Sequence, residues 1–553
     1  MDDAGDTFTV TGDRTSKKLF DTYKKYQDFC KSNHQGIYEN KAVPVVQFLA
    51  ERYHKFYVEE VDPPKIRAYS IDIEVHLSED GPSGFPDPKD SAHPIVLITV
   101  TDMSTKKVFS FGVKEYQDDT DYNVTYYNCG SEENLLKSFF SWWQKHPPDL
   151  VTGWNINADY KINVSGGFDL PYIVNRSKLL FGENTNIYKK LSPLGIVSIF
   201  EKEAEGNFVV DIAGISIVDY LALYKWYTSK NLESYTLETV CQHELGRGKV
   251  EYENDLRWLY HNDWKKYVEY NIEDTYLIND LDEKLEYIKL AQFVTLLCRC
   301  PIKMYSSTTN LIEGLMLTRF RRNNQCAPYF MGGSQASYPA AYVKEPIFGK
   351  HNWLFSLDIA SSYPFAIVTL NMSLETLYGK ILDIEEDKII HYSKNNNFPE
   401  FRIEKNGKVS EVKGKSLETF NNALKKKLLS VAPNGVLFYN KPKGVYALME
   451  KDMYNKRKEV KKQMFSMERE YKETGDRDKK RRAENLNTLQ KSLKIVINGA
   501  YGVTAVPYSR YFSLWIAEAV TAVGRCSIKS GEKYTNEILN NPNEEIKKLL
   551  SEL

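Results

Sequence analysis

The stretch "SIDIEVHL", residues 70–77, decides how the first half of the chain is interpreted. Successive side chains of a β-strand point to opposite faces, so Asp72 and Glu74 share one face and the apolar residues between them share the other. Two adjacent carboxylates repel each other unless a cation lies between them, and the pattern therefore predicts a metal site. Taken alone, the pattern is more typical of the exposed polar face of an edge strand.

Two further segments supply acidic residues for the same site. In "FDLPYIVNR", residues 168–176, Asp169 precedes a helix that begins with proline, and the N-terminus of that helix orients the carboxylate. In "YVEYNIEDTYL", residues 267–277, Tyr270 and Asp274 are four residues apart and share a helical face. The four carboxylates together are expected to hold two Mg²⁺ ions at a phosphodiester, with the tyrosine positioning the attacking water.

Composition sets the broad class of the protein. A chain of 553 residues predicts three or four domains, and 42% hydrophobic with 27% charged residues is typical of a globular protein. Seven scattered cysteines without a CxxC pair argue against a zinc site or a disulfide framework and favour a reducing compartment. The acidic N-terminus does not read as a signal peptide, and no apolar run reaches 18 residues. We therefore expect a cytoplasmic protein without membrane contact.

With these motifs described, the sequence resembles the B-family DNA polymerases, in particular the T-even-type bacteriophage enzymes, over roughly residues 66–540. The "DIE" at 72–74 resembles the first exonuclease motif of that family, "GWNI" followed by "FDLPYI" the second, and "YNIED" at 270–274 the third. The resemblance implies a 3′→5′ exonuclease whose metal ligands are Asp72, Glu74, Asp169 and Asp274, and whose substrate-positioning residues are Asn155 and Tyr270.

One departure from the family pattern lies inside the second motif. Where the family has a very short link, the segment "NADYKINVSGG", residues 157–167, intervenes between Ile156 and Phe168. The insertion offers Asp159 as a rival ligand, although the "FDLPYI" context favours Asp169. Whether the insertion blocks or shapes the nuclease cleft is open at this point.

A second constellation begins at "WLFSLDIASSYPFAIV", residues 353–368. An apolar run ending at Asp358 predicts a buried strand followed by a turn, and the stretch resembles the first polymerase motif of the family, D-x-x-S-L-Y-P-S. The resemblance implies that Asp358 binds both catalytic metal ions and that backbone amides at Ser361 and Ser362 cradle the incoming triphosphate. It further implies that Tyr363 lies beneath the sugar and excludes a 2′-hydroxyl.

This motif differs from the family pattern at two positions. Ser362 replaces the usual leucine and Phe365 the usual serine. The first change removes an apolar contact near the nucleotide, so we expect sugar selection or rate to differ from the family norm.

The stretch "KSLKIVINGAYGV", residues 491–503, carries Lys494, Asn498, Tyr501 and Gly502 at helical spacing, which places them in one stripe. It resembles the second polymerase motif, K-x-x-x-N-S-x-Y-G, with glycine in place of serine. Lysine supplies a point charge for phosphate, and glycine lets the backbone approach a base closely. The resemblance implies that this stripe binds the nucleotide and the nascent base pair.

The segment before that motif is basic. Residues 451–482 hold 13 Lys and Arg against 7 Asp and Glu, and the pattern predicts an α-hairpin that turns at Gly475. Most of these residues fit a solvated surface. Only Arg457 and Lys461, four apart on one face, match family positions that bind the triphosphate.

Nucleotidyl transfer by this family needs a second palm aspartate, from a D-T-D-S hairpin that this sequence does not contain after the second motif. The similar letters at 119–122 lie within the exonuclease region and are interpreted as a polar loop. Three explanations are open, namely a split polymerase, a truncated gene product and a retained nuclease. We favour the split polymerase because the chain stops between elements.

The resulting fold class is α/β and α+β multidomain, with an RNase H-like exonuclease domain, a partial palm and helical fingers. The expected function is DNA synthesis as the N-terminal subunit of a split polymerase with its own proofreading exonuclease; the alternatives are a stand-alone 3′→5′ exonuclease and a nucleotide- or DNA-binding remnant.

Two Mg²⁺ per active site, with Mn²⁺ as a substitute, are the implied cofactors. Implied partners are primer–template DNA, dNTPs, a second polypeptide with the missing hairpin and thumb, and a sliding clamp. The expected domains are 1–65 with 286–330 (N-terminal), 66–285 (exonuclease), 331–445 (palm), 446–502 (fingers) and 503–553 (palm, incomplete).

Overall fold

The computed structural model describes residues 7–10, 12–32, 37–57, 64–76, 86–159, 166–202, 207–228, 230–249, 256–330, 332–334, 336–350, 356–540 and 544. The chain divides into two compact units. One unit contains residues 60–296 and 301–307 and is called the exonuclease-motif unit. The other contains residues 1–59, 297–300 and 308–553 and is called the polymerase-motif unit.

A six-stranded mixed sheet forms the centre of the exonuclease-motif unit, in the order β10-β7-β3-β4-β5-β6. The central strand β3 runs parallel to β7 and antiparallel to β4. Both faces of this central strand are largely covered, with Ile71 and Ile73 buried and Asp72 half-buried. A two-stranded antiparallel ribbon of β8 and β9 lies outside this sheet. The strand bounds are β3 Ala68–Val75, β4 Ile95–Asp102, β5 Lys107–Gly112, β6 Asn123–Asn128, β7 Leu150–Thr152, β8 Val197–Lys202, β9 Asn207–Ile212 and β10 Ser216–Ile217.

Helices cover this sheet. Ser131 caps the first of them by accepting a hydrogen bond from the backbone N–H of Asn134, and its apolar stripe, with Phe139 and Trp143 fully buried, packs in the core. The longest, α8, packs against β3 and β4. The helix bounds are α3 Glu132–Lys145, α4 Asp169–Phe181, α5 Tyr220–Tyr227, α6 Leu237–Leu245, α7 Leu256–Asn262, α8 Trp264–Leu285 and α9 Tyr287–Leu297.

One element of this unit differs from the sequence-based prediction. The stretch "NFVVDIAGISIVDYLALYK", residues 207–225, carries strand signals, yet its last six residues, from Tyr220, belong to the helix α5. Asp219 caps that helix by accepting a hydrogen bond from the N–H of Ala222, and short apolar runs do not distinguish a buried strand from a buried helix.

The polymerase-motif unit contains an entirely antiparallel five-stranded sheet, in the order β13-β12-β11-β15-β14. Its apolar side packs against two short helices through Phe398, Phe401 and Phe420. A small two-stranded ribbon, β1 with β2, lies near the N-terminus. The strand bounds are β1 Thr7–Phe8, β2 Arg14–Thr15, β11 Leu377–Ile381, β12 Phe401–Lys405, β13 Lys408–Val412, β14 Leu429–Val431 and β15 Val436–Tyr439.

The basic segment folds as the predicted α-hairpin. Its helices α14 and α15 pack along each other, and Gly475 ends the first with φ +69°, a left-handed conformation that glycine adopts without strain. The helix α15 carries the whole "KSLKIVINGAYGV" motif. The helix bounds are α1 Tyr23–Ser32, α2 Pro44–Tyr53, α10 Thr308–Arg322, α11 Ser362–Leu370, α12 Glu386–Asn395, α13 Lys415–Lys425, α14 Val445–Thr474, α15 Arg477–Thr504 and α16 Leu514–Asn540.

Candidate active sites

Strand β3 and helix α8 bring three of the four predicted carboxylates together. Asp72 and Glu74 face α8, where Asn271 donates a hydrogen bond from Nδ2 to Oδ2 of Asp72. The charge of Asp274 acts on both, which places it beside them. Ser70 fixes this packing by donating a hydrogen bond of 3.0 Å to the carbonyl of Thr275.

Asp169, the fourth carboxylate, joins the other three through the backbone of β3. It is the first residue of α4 and is 4% exposed. The N–H of Ile73, which lies between Asp72 and Glu74 in the strand, donates to Oδ1 of Asp169 at 2.9 Å. The rival Asp159 instead lies close enough to Tyr305 to raise the pKa of that phenol, so the structure groups Asp169 with the motif carboxylates.

The four carboxylates destabilise one another's charged forms. Burial and the charge of Asp274 raise the pKa of Asp72 to about 8, and burial and the charge of Asp72 raise the pKa of Glu74 and of Asp169. Burial also raises the pKa of Asp274, to about 6, although a nearby lysine opposes the shift. Packing gains nothing from carboxylates that repel one another. Groups of such carboxylates are therefore typical of functional sites.

Lys249 completes the group and was not predicted from the sequence. Its ammonium donates to Oδ2 of Asp274 at 2.6 Å and to the hydroxyl of Tyr270 at 2.8 Å. Its backbone N–H donates to Glu238 at 2.6 Å, which anchors the short loop after α6. In the sequence, the "GRGK" composition is the only feature that distinguishes this loop. Loop residues have no hydrophobic periodicity, so their place in the fold cannot be predicted from spacing.

Tyr270 is buried and keeps its proton at neutral pH. Burial and the charge of Asp274 raise the pKa of its phenol, and the ammonium of Lys249 lies 4.9 Å from its ring centroid. A protonated phenol at this position can donate a hydrogen bond to a water or a phosphate oxygen.

The donor set has the chemistry of a divalent-ion site. Carboxylate oxygens suit Mg²⁺ and Mn²⁺, and the second oxygen of Asp274, Oδ1, is buried without a hydrogen-bond partner. Among the residues that the structure describes, however, no three His, Cys, Asp or Glu side chains lie close enough together to enclose an ion. The residues fit the ion in chemistry, while enclosing it requires their side chains to move closer together.

Asn155 lies on a tight turn beside this group. Its backbone is left-handed at φ +60°, its carbonyl accepts from the N–H of Phe168 at 2.8 Å, and its Oδ1 is buried without a partner. Asp219 holds the turn from below by accepting from the N–H of Asn157. Residues 160–165 of the insertion lie outside the described part of the chain.

The prediction of a buried strand ending at Asp358 is wrong for the residues that the structure describes. Residues 351–355 lie outside that part, and residues 356–359 form no strand. Asp358 is exposed, and its neighbours Leu357 and Ile359 are 74% and 47% exposed. A buried strand needs neighbouring strands to pair with and a layer of side chains that covers it. Residues 356–359 pair with no strand of the described five-stranded sheet, and they are exposed.

The tyrosine of the same motif is firmly packed. Tyr363 lies in the first turn of α11, after Ser361 at φ +54°, and its ring centroid is 4.7 Å from that of Tyr501. The hydroxyl of Tyr501 is 2.9 Å from that of Tyr338, a residue that was not predicted. These rings border a cavity of about 470 Å³ with Thr521.

The remaining predicted nucleotide contacts lie on the α14–α15 hairpin. Lys494 and Asn498 are exposed on α15, while Gly502 is half-buried near its end. Arg457 donates weakly from Nε to the carbonyl of Gln490 at 3.4 Å, and Lys461 lies over the ring of Phe465. The structure therefore places these residues on one hairpin.

The similar letters at 119–122 form a polar loop, as predicted. Thr120 bonds to Asp118, and Asp119 forms an ion pair with Lys265 at the surface.

Comparison with known proteins assigns the family. Residues 31–240 match the model described as "DNA polymerase family B, exonuclease domain", and residues 300–551 match "DNA polymerase family B". Together the two models match most of the chain. It therefore belongs to DNA polymerase family B and carries the exonuclease domain of that family, which confirms the resemblance and the predicted fold class.

Individual relatives are similar over most of this chain but are longer. The DNA-directed DNA polymerase of Escherichia phage RB69 is 26% identical, over 96% of this chain and 62% of the relative. That of Enterobacteria phage T4 is 26% identical, over 75% of this chain and 47% of the relative. The DNA polymerase catalytic subunit of Alcelaphine herpesvirus 1 is 25% identical, over 88% and 43% respectively. The chain thus spans about half to three fifths of the length of these relatives. Within its described residues, no helix has the length and apolarity of a membrane span.

Proposed function

We propose that this family-B chain is the N-terminal subunit of a split replicative DNA polymerase and that it degrades DNA from the 3′ end with its own proofreading site. In this proposal residues 66–285 form the exonuclease domain, 331–445 and 503–553 the palm, and 446–502 the fingers. Residues 1–65 with 286–330 form the N-terminal domain. The observation that carries the nuclease part is the convergence of four carboxylates on β3, α4 and α8, of which Glu74, Asp169 and Asp274 are buried and Asp72 is half-buried.

The carboxylates are assigned to metal binding. Asp72, Glu74, Asp169 and Asp274 would hold two divalent ions, which supply positive charge at the attacking water and at the leaving oxygen of the phosphodiester. The repulsion among these side chains in the present structure supports the assignment, because a divalent cation removes it.

Tyr270, Lys249 and Asn155 are assigned to substrate positioning. The protonated phenol of Tyr270 would donate to the attacking water or to a phosphate oxygen, and Lys249 would hold that phenol in place through its 2.8 Å hydrogen bond. The unpartnered Oδ1 of Asn155 is an acceptor for the terminal nucleotide.

Polymerisation is assigned to the other unit. Asp358 would bind the catalytic ions, and the amides after it, at Ser361 and Ser362, would bind the triphosphate. Tyr363, packed on Tyr501, would contact the sugar. Lys494, Asn498, Gly502, Arg457 and Lys461 would contact the triphosphate and the nascent pair.

A second polypeptide is proposed to supply the remaining palm hairpin, its aspartate and the thumb. The exposed Leu357 and Ile359 and an adjacent apolar cavity of about 470 Å³, bordered by Phe365, Val431 and Val523, support this part of the proposal. An apolar β-hairpin would cover these side chains and give Asp358 the partner carboxylate that a two-metal centre needs. A sliding clamp and a location in the host cell cytoplasm are further parts of the proposal.

The test uses a labelled primer–template with the purified chain, Mg²⁺ and all four dNTPs. We expect shortening without extension, and extension only after a polypeptide with the hairpin and thumb is added. Extension by the chain alone would contradict the split arrangement. Replacing Asp72 and Glu74 with Ala should abolish shortening; unchanged nuclease activity of the assembled complex would contradict the proofreading assignment.

A stand-alone 3′→5′ exonuclease is the second candidate. One contrast favours it: the exonuclease carboxylates are buried or half-buried and lie near one another within one unit, whereas Asp358 is exposed. This candidate predicts that no added polypeptide restores extension.

A further inference from the structure

A group of basic and aromatic side chains lies at the end of β3, next to the carboxylates. We call it the His76 cluster, and its members are His76, Lys114, Arg257, Tyr260 and His261. The imidazole of His76 stacks on the ring of Tyr260, with centroids 3.8 Å apart and planes at 22°. The ring of His261 meets His76 edge-on at 5.1 Å.

The cluster is electropositive. Lys114 lies 3.7 Å from the ring centroid of Tyr260 and donates to its carbonyl. The basic groups of His261, Lys114, Arg257 and His93 act electrostatically on the imidazole of His76. Several basic groups therefore act on one imidazole, an arrangement that is unfavourable unless an anion joins it.

The cluster continues into the carboxylate site. His76 follows Glu74 by two residues, and its stacking partner Tyr260 lies 6.0 Å from Tyr267 between ring centroids. The charges of Glu74 and Asp72 act on Tyr267, so that ring adjoins both the basic cluster and the acidic group. A polyanion that approaches four carboxylates is repelled, and an adjacent basic group offsets the repulsion.

We propose that the His76 cluster binds a backbone phosphate of single-stranded DNA, upstream of the bond that is cut, with Arg257 and His261 as the principal contacts. The inference rests on the proposed exonuclease function and adds a phosphate subsite to it. Arg257 and His261 lie four residues apart on α7 and are both exposed, so they share a face that an extended strand can reach. Lys114 and His76 support them from the half-buried side of the cluster.

The experiment compares the intact chain with the double variant Arg257→Ala, His261→Ala at constant pH in Mg²⁺. One substrate is a short 5′-labelled single-stranded oligonucleotide, and the other is thymidine 5′-(p-nitrophenyl phosphate), which has no upstream phosphate. We expect KM for the oligonucleotide to rise about tenfold with kcat within about twofold, and hydrolysis of the nitrophenyl ester to be unchanged. The slope of log KM against log salt should fall by about 0.7 for each lost contact.

Two further variants sharpen the result. Arg257→Lys keeps the charge and should retain most of the salt dependence, whereas Lys190→Ala removes an exposed charge elsewhere in the same unit and should change nothing. An unchanged KM and salt slope in the double variant would overturn the inference, and so would an equal loss on both substrates, which indicates structural damage. A wild-type chain inactive on both substrates would reject the exonuclease proposal itself.

Discussion

The ammonium of Lys249 lies 2.6 Å from one carboxylate oxygen of Asp274, while the other oxygen of that carboxylate has no hydrogen-bond partner. The lysine thus neutralises one of the proposed metal ligands, and it also holds the hydroxyl of Tyr270. Burial opposes the charge of Lys249, but Asp274 and Tyr270 outweigh it and raise the pKa of the ammonium, so it remains charged over the working range of pH.

Lys249→Ala is expected to lower kcat for single-stranded DNA degradation by roughly 10- to 100-fold, because Tyr270 and Asp274 lose the group that orients them. The measurement is the initial rate with saturating labelled oligonucleotide and Mg²⁺. The control is Lys265→Ala in α8, whose ammonium pairs with Asp119 at the surface and whose loss should leave the rate unchanged. Equal rates for wild type and Lys249→Ala would contradict the positioning role.

Magnesium is expected to stabilise the exonuclease-motif unit through its carboxylates. At a hundredfold excess over the dissociation constant, an ion bound only to the folded state adds about 2.7 kcal/mol to the free energy of unfolding. The midpoint temperature of thermal unfolding should therefore differ between EDTA and Mg²⁺ for the wild type. It should be the same in both for the double variant Asp72→Asn, Glu74→Gln. The control replaces Asp119 and Asp121, in the surface loop, with Asn and should keep the full response. A metal response that survives in Asp72→Asn, Glu74→Gln would place the ion elsewhere.

Gly524→Ala is expected to disturb the ring of Tyr363 without destabilising α16. A Cβ at this position would lie 3.1 Å from Cε1 of Tyr363, so the ring must shift by a few tenths of an ångström, while alanine favours the helix by about 1 kcal/mol. If Tyr363 contacts the sugar, discrimination between dNTPs and rNTPs by the assembled polymerase should fall several-fold, as measured by single-nucleotide incorporation. Gly531→Ala, in the same helix with open space around its Cβ, is the matched control and should leave discrimination intact.

Glu450 is expected to make stability depend on pH. It is fully buried in α14 with neither carboxylate oxygen hydrogen-bonded, and burial raises its pKa from 4.5 to about 8. The folded chain therefore retains a proton that the unfolded chain releases, and the free energy of unfolding falls as pH rises from about 4.5 to 8. Glu450→Gln should remove this loss and raise stability at pH 8 by on the order of 3 kcal/mol, with little effect at pH 4.5.

Urea unfolding followed at several pH values measures that difference. The exposed Glu459 on the same helix provides the control Glu459→Gln, which should track the wild type at every pH. A wild-type stability that is flat between pH 5 and 8 would show that Glu450 has access to water or to a counter-charge.

The strand carrying Asp72 and Glu74 was predictable because alternation in a half-polar strand is a local property of the sequence. The α14–α15 hairpin was predictable for a similar reason, since Gly475 marks its turn. Asp169 and Asp274 required the family resemblance, because nothing local brings three distant segments to one place.

Other features depend on partners that the sequence does not reveal locally. Lys249 becomes part of the site only through its contact with α8, and its own loop has no pattern. Asp358 ends an apolar run that predicts a strand, yet a strand forms only with neighbours to pair with. The residues of α5 give strand signals in the sequence, although Asp219 is recognisable as a helix N-cap.

The two ends of the insertion at 157–167 are held together next to Asp169. Asn155 donates from Nδ2 to the carbonyl of Gly166, and a Cβ on Gly167 would collide with the backbone of Asn157, so only glycine permits so close an approach. Asp169 follows two residues after this stem. Because loop closure costs little extra free energy as length grows, a stem closed in this way tolerates a change in the number of residues between its two sides, and Asp169 can keep its place when that number changes.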